Sequence, residues 1–150
     1  MDNLDRKLLG MVQRDSRTTI QELATQTGSS TASIQRRLKV LRDSGVIKSE
    51  VALLDQQALG LGITAIVSVE LERDSVEQTA AFKRKAKTDA HVTNFYCIAG
   101  DADFIMIVVA KDIQDYETFT HRFFFTDKNV RKFRTSIVVS TVKATLELPL

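Results

Sequence analysis

The chain has 150 residues, 43% of them apolar and 27% charged, with a formal net charge of +2, which is enough apolar material for one core or two small ones. No run approaches the roughly 18–20 apolar residues of a membrane span, and the polar opening Met1-Asp2-Asn3 does not look like a secretory signal. Cys97 is the only cysteine, which excludes a disulfide framework and a cysteine-based zinc site, so a cytoplasmic protein with no membrane partner is expected.

The charge is unevenly spread. Residues 1–48 hold nine Lys/Arg and five Asp/Glu, whereas residues 49–150 hold twelve and fourteen. A basic N-terminal part joined to a mildly acidic remainder suggests that only the first part meets phosphate.

Leu4, Leu8, Met11 and Val12 recur at helical spacing and predict a first helix over residues 2–15. Thr18 or Thr19 can cap a second helix, and Glu22, three residues after Thr19, completes a capping box. Ile20, Leu23 and Ala24 supply its inner face. Gly28 breaks the pattern at a turn that needs a left-handed backbone. Ser30 then caps a third helix running to about residue 43, with Ile34, Leu38 and Leu41 facing inward.

That third helix carries four positive and no negative charges between Thr31 and Arg42. Two short helices around a glycine turn, the second basic, make a helix-turn-helix. The candidate DNA-binding residues are Ser30, Thr31, Ser33, Gln35, Arg36, Arg37 and Lys39. Small hydroxyl residues let the helix end approach base edges, Gln35 suits adenine, one arginine suits guanine, and the other cations suit phosphates. Ser44-Gly45-Val46-Ile47 is expected to stop the helix and begin the short strand of a wing. The competing reading is a solvated basic helix in an ordinary three-helix bundle.

Residues 49–62 read as a linker that ends with Gly60 and Gly62. Residues 63–72 alternate as a strand, with Ile63, Ala65, Val67, Val69 and Leu71 on one face. Residues 76–88 form a helix-like stretch with Ala80, Ala81 and Phe82. Two strands are expected over residues 92–99 and 104–110, followed by a helix over residues 113–125 with Tyr116, Phe119 and Phe123 at helical spacing. A last long strand region is expected over residues 130–146. The order β-α-β-β-α-β is the split-βαβ, ferredoxin-like arrangement. Its sheet has helices on one face only, so the apolar strands predict a second copy packed on the other, a homodimer at least.

Enzymatic readings find little support. His91 and His121 fall in different elements, no cluster has metal-ligand spacing, and no glycine-rich phosphate loop precedes a helix. Cys97, in an apolar strand, is expected to be a buried small hydrophobe. The Phe123-Phe124-Phe125 run is expected in a core or an interface. No metal and no cofactor are expected.

Several segments together resemble one family. Leu4-Asp5-Arg6-Lys7-Leu8-Leu9 with Asp15-Ser16-Arg17 resembles its opening helix. Glu22-Leu23-Ala24, Arg36-Arg37-Leu38-Lys39-Val40-Leu41 and Gly45-Val46-Ile47 resemble its helix-turn-helix. Val51-Ala52-Leu53-Leu54-Asp55 and Gly60-Leu61-Gly62 match its linker. Ala99-Gly100-Asp101-Ala102-Asp103-Phe104 resembles its effector loop, and Val142-Lys143-Ala144-Thr145 with Leu148-Pro149-Leu150 its closing segment. The series, in order, is similar to the Lrp/AsnC (feast/famine) transcription regulators.

The resemblance implies an α+β protein: an N-terminal winged helix-turn-helix over residues 1–48, a linker over 49–62, and a C-terminal ferredoxin-like βαββαβ (RAM-type) effector-binding and oligomerisation domain over 63–150. It also implies a homodimer that can assemble into tetramers or octamers, double-stranded DNA as partner, and an amino-acid effector held near the Gly-Asp-x-Asp loop. Gly100 offers a backbone N–H, and Asp101 and Asp103 offer acceptors for an ammonium. By analogy, Ile98, Ile113, Ser136 and Val138 help line the pocket or its subunit contact. Taken alone, without the resemblance, residues 100–103 read as a simple hairpin turn, for which Gly and Asp are common. The chain departs from the family pattern at Ser29-Ser30-Thr31-Ala32-Ser33, where an apolar residue and prolines are usual. It departs again at Ala102, often larger, and at residues 125–130, which lack the usual proline and glycine.

Overall fold

The computed structural model describes residues 1–72 and 75–150 and contains two compact units, residues 1–53 with 142–150, and residues 54–141. The first unit is built on α1 (Asn3–Val12), α2 (Ile20–Thr27) and α3 (Thr31–Asp43). Each start is chemically specified. The Asp2 carboxylate accepts the Asp5 N–H at 2.9 Å while the Asp5 carboxylate accepts the Asp2 N–H at 2.9 Å. Thr19 and Glu22 form the same reciprocal pair for α2, and the Ser30 hydroxyl accepts the Ser33 N–H for α3. These bonds satisfy N–H groups that a helix start otherwise leaves without a partner. Gly28, at φ +66°, takes the left-handed conformation at the end of α2, and the Ser29 N–H returns to the Ala24 carbonyl.

The three helices close on Leu8, Leu9, Leu23, Ala24, Ile34, Leu38 and Leu41, with Ile47 packed at the edge. The short strand expected at Val46-Ile47 is absent. The Ile47 N–H donates back to the Leu41 carbonyl, and no neighbouring strand is present in this unit to pair with it. The last residues also belong here. The Gln13 side chain donates to the Leu148 carbonyl and accepts its N–H, and Arg14 pairs with Glu147 at 2.6 Å.

The second unit holds β1 (Ile63–Leu71), α4 (Val76–Thr88), β2 (Val92–Cys97), β3 (Phe104–Ala110), α5 (Ile113–Thr120) and β4 (Val130–Ile137). The strands form one antiparallel sheet in the order β2-β3-β1-β4, the expected ferredoxin-like topology. Ala65, Val67 and Val69 of β1 and Phe104, Met106, Val108 and Ala110 of β3 are buried under Phe82, Ala86, Tyr116 and Phe119 from the helices. A π-helical turn, His121–Phe125, continues α5. Its wider backbone brings both Phe123 and Phe124 into the core and leaves Phe125 exposed.

Two strand ends differ from expectation. The last strand stops at Ile137 instead of running to residue 146, because its partner β1 runs out. Ile137 sits opposite Ala65, and the Val138 N–H makes the next bond, to Thr64. β2 ends at Cys97, and Cys97 is exposed rather than buried, because β2 is the edge strand. Among the described residues, no helix is long and apolar enough to cross a membrane.

Candidate nucleic-acid interface and effector site

Burial of Ile34, Leu38 and Leu41 turns the opposite side of α3 outward. Thr31, Gln35, Arg36 and Lys39 are exposed there, Ser33 is half-buried, and Ser30 is occupied as the cap. The cations on this helix are not equivalent. Lys39 pairs with Asp43 one turn away, and Arg42 pairs with Glu50 at 2.7 Å. Arg37 turns back toward the start of α1, where one guanidinium nitrogen donates to both Asp2 and Asp5 at 2.7 Å. Its side chain is only 27% exposed. Arg36, among the described residues, pairs with no carboxylate. The two adjacent arginines, alike in sequence, are therefore one surface cation and one bracket between helices.

The bracket has an acid signature. The Asp2 carboxyl is held below its ordinary range first by the Asp5 N–H and then by Arg37. Asp5 is lowered first by the Asp2 N–H and then by Arg37. A carboxyl lowered in the folded state contributes stability that is full above its ordinary value of 3.8 and is lost as pH falls through the lowered one. Asp5→Asn is therefore expected to reduce thermal stability at pH 7 and to flatten its fall between pH 5 and pH 2. Circular dichroism melts across that range check this, and an unchanged slope would sink the assignment.

In the second unit, the 100–103 loop is pinned from both sides. The Ile98 N–H donates to the Asp103 carbonyl, the Asp103 N–H to the Val69 carbonyl, and the Leu71 N–H to the Asp103 carboxylate at 2.7 Å. Beside it lies a cavity of about 270 Å³ lined by Leu71, Thr79, Lys83, Cys97, Ile98, Asp103 and Phe104. Two of the candidate effector residues, Ile98 and Asp103, thus share one cavity. Asp101 is exposed at the loop tip. Gly100 has neither a left-handed φ nor any neighbour within 4 Å of where a Cβ would stand, so close backbone approach within this chain does not explain it.

Ile113, Ser136 and Val138 do not join them. Ser136 pairs with Ile66, Val138 bonds Thr64, and Ile113 follows the strand end at Ala110, opposite Ile63. The loop bonds Val69 instead, three residues along β1 from Ile66 and five from Thr64, roughly 10 and 17 Å away at about 3.3 Å per residue. One chain therefore does not assemble all seven residues into a single pocket. Sequence reasoning missed Lys83, which reaches the cavity from α4. It carries no motif, and only the packing of α4 on the sheet brings it there.

His91 is held between Asp89 and Asp115, at 3.3 and 3.4 Å, and Arg122 pairs with Asp89. This network ties α5 to the start of β2 and lines neither described cavity. Among the described residues no three His, Cys, Asp or Glu side chains converge on a metal position.

Comparison with known proteins covers the whole chain. Residues 1–48 match the winged helix-turn-helix DNA-binding family model, and residues 64–148 match the Lrp/AsnC ligand binding domain. An HTH-type transcriptional regulator of Sinorhizobium fredii is 42% identical over all of this chain and 89% of its own length. Among solved structures, an AsnC family transcriptional regulator from Agrobacterium tumefaciens is 34% identical. It covers 99% of this chain and 97% of its own, with a TM-score of 0.94. A transcriptional regulator from Neisseria meningitidis, solved as a complex with L-Met, is 26% identical. It covers 99% and 96% of the two chains, also with a TM-score of 0.94.

Proposed function

The chain belongs to the Lrp/AsnC family of helix-turn-helix transcriptional regulators, not a family of enzymes, and from that premise we propose that it binds a pseudo-palindromic operator as a homodimer or higher oligomer in the cytoplasm, under control of an amino acid or a related small metabolite. The observation that carries the DNA reading is the outer face of α3, where Thr31, Gln35, Arg36 and Lys39 stand exposed behind a fully apolar inner face. In this reading Ser30 and Arg37 set the position of the helix rather than touching bases. Residues 1–48 bind DNA, 49–62 link, and 63–150 bind effector and assemble, with the closing residues lying on the first unit.

The experiment is selection of duplexes bound by the protein from a random-sequence DNA pool, followed by fluorescence anisotropy on the selected duplex across a salt series. Several phosphate contacts make log K fall linearly with log salt, by a slope of about −0.9 per phosphate. Salt-independent binding, or none, would overturn the reading.

Assembly is supported by the open face of the sheet. Ile66 and Tyr96 are 41% and 51% exposed on it, beside Ile105, Ile107 and Val109. A patch of this kind on one side of a four-stranded sheet suits an isologous contact with a second copy, and light scattering checks it against the 16.8 kDa chain mass.

The effector reading rests on the cavity at the 100–103 loop. Lys83 and Asp103 both line it, yet they form no ion pair, so a cation and an anion face a gap that a zwitterion fits. A ligand at about 100 times its Kd raises stability by roughly 2.7 kcal/mol. One or more of the twenty amino acids is expected to raise the melting temperature. Asp103→Asn, which keeps an acceptor for the Leu71 N–H, is expected to suppress that rise. A flat response to all twenty removes the amino-acid effector.

A further inference from the structure

Lys83 lines not one cavity but two. The second, of about 450 Å³, lies between α4 and the edge strand β2, and also involves Lys87, Thr93, Asn94 and Cys97. Lys83 and Cys97 are common to both, so the cavities are successive parts of one groove. The Lys83 ammonium stands 6.0 Å over the ring of Phe104, the residue that follows the loop. Lys83 and Lys87 are one helical turn apart, a spacing that leaves their Cβ atoms about 6 Å from each other on one face.

The charges along this groove run in a definite order. Asp103 lies at the loop end, Lys83 in the middle and Lys87 beyond it. No carboxylate among the described residues lines the larger part. Among the described residues neither lysine has an ion-pair partner, whereas Lys85 between them is tied to Asp127. Thr93 and Asn94 also line the larger part, and the Asn94 amide is turned to the Tyr96 hydroxyl on the open face of the sheet.

We propose that this groove selects an amino acid with an acidic side chain: its ammonium on Asp103, its α-carboxylate on Lys83 and its side-chain carboxylate on Lys87. The proposal rests on the effector reading above and specifies its ligand class. An α-amino dicarboxylic acid carries plus, minus, minus in the order that complements minus, plus, plus. Its neutral amide has the same shape and lacks only the last charge.

The test is calorimetric titration of the full-length protein with L-glutamate, L-glutamine and L-leucine at constant ionic strength, using glutarate as a dicarboxylate without the amine. L-glutamate is expected to bind about ten-fold or more tighter than L-glutamine, the scale of one charged contact, and tighter than glutarate. Lys87→Gln is expected to bring the glutamate-to-glutamine ratio near one, with an unchanged melting temperature in the absence of ligand. Equal affinities for the acid and the amide, or a ratio that Lys87→Gln leaves intact, would overturn the proposal. Binding of L-leucine without L-glutamate would overturn it while keeping the effector reading. Binding of no amino acid would remove both.

Discussion

Ile34→Ala is expected to destabilise the N-terminal unit by about 2–5 kcal/mol, the range for deleting buried aliphatic methyl groups when the surroundings do not collapse into the space. Ile34 is fully buried in a core of only seven buried apolar side chains. Little else in so small a core makes up the loss. The melting transition of this unit should fall by about 10 °C or more, and DNA binding at growth temperature should fall with it. The second unit draws on a separate core around Phe82, Phe119 and Phe123, so its transition should stay in place. Differential scanning calorimetry separates the two. A first transition that does not move would mean that the α3 inner face does not hold this unit together.

Arg36→Ala, two residues further along the same helix, is expected to do the opposite. At 100° per residue, Arg36 lies about 200° round from Ile34, on the exposed side and without an ion-pair partner among the described residues. A surface change of this kind leaves stability within about 0.5 kcal/mol, whereas loss of one base or phosphate contact costs about 1–3 kcal/mol, or ten- to hundred-fold in affinity. The form of the loss identifies the contact. A uniform loss on all sequences, with the salt slope lowered by about 1 per subunit, marks a phosphate; a loss confined to the operator marks a base. Unchanged affinity at every salt concentration would remove Arg36 from the interface. Arg37→Ala should contrast with it, lowering stability as well as binding, because Arg37 bridges Asp2 and Asp5 of α1.

The two arginines also mark the limit of reading a sequence. Their neighbourhood is legible: Thr19 with Glu22, Gly28, Ser30 and the Ile34, Leu38, Leu41 spacing are local patterns, and each structural element they predict is present. Which arginine is available to a ligand is not local. It depends on carboxylates 32 and 35 residues away, which the fold of α1 against α3 brings within 2.7 Å. The candidate effector residues divide in the same way. Ile98 and Asp103 flank one turn and share a cavity, whereas Ser136 and Val138 lie further along β1, beside Ile66 and Thr64.

Caps, turns and apolar periodicity act over a few residues of chain, and they suffice for the helix-turn-helix, the α+β order of the second unit and the inward faces of α2, α3, β1 and α5. Tertiary structure decided the rest. It ended β4 where β1 ran out, left Cys97 on an open edge, occupied Arg37 while leaving Arg36 exposed, and set Lys83 beside Asp103. Each of these outcomes depends on a partner distant in the chain, and pairing between distant groups is fixed only when the whole core closes.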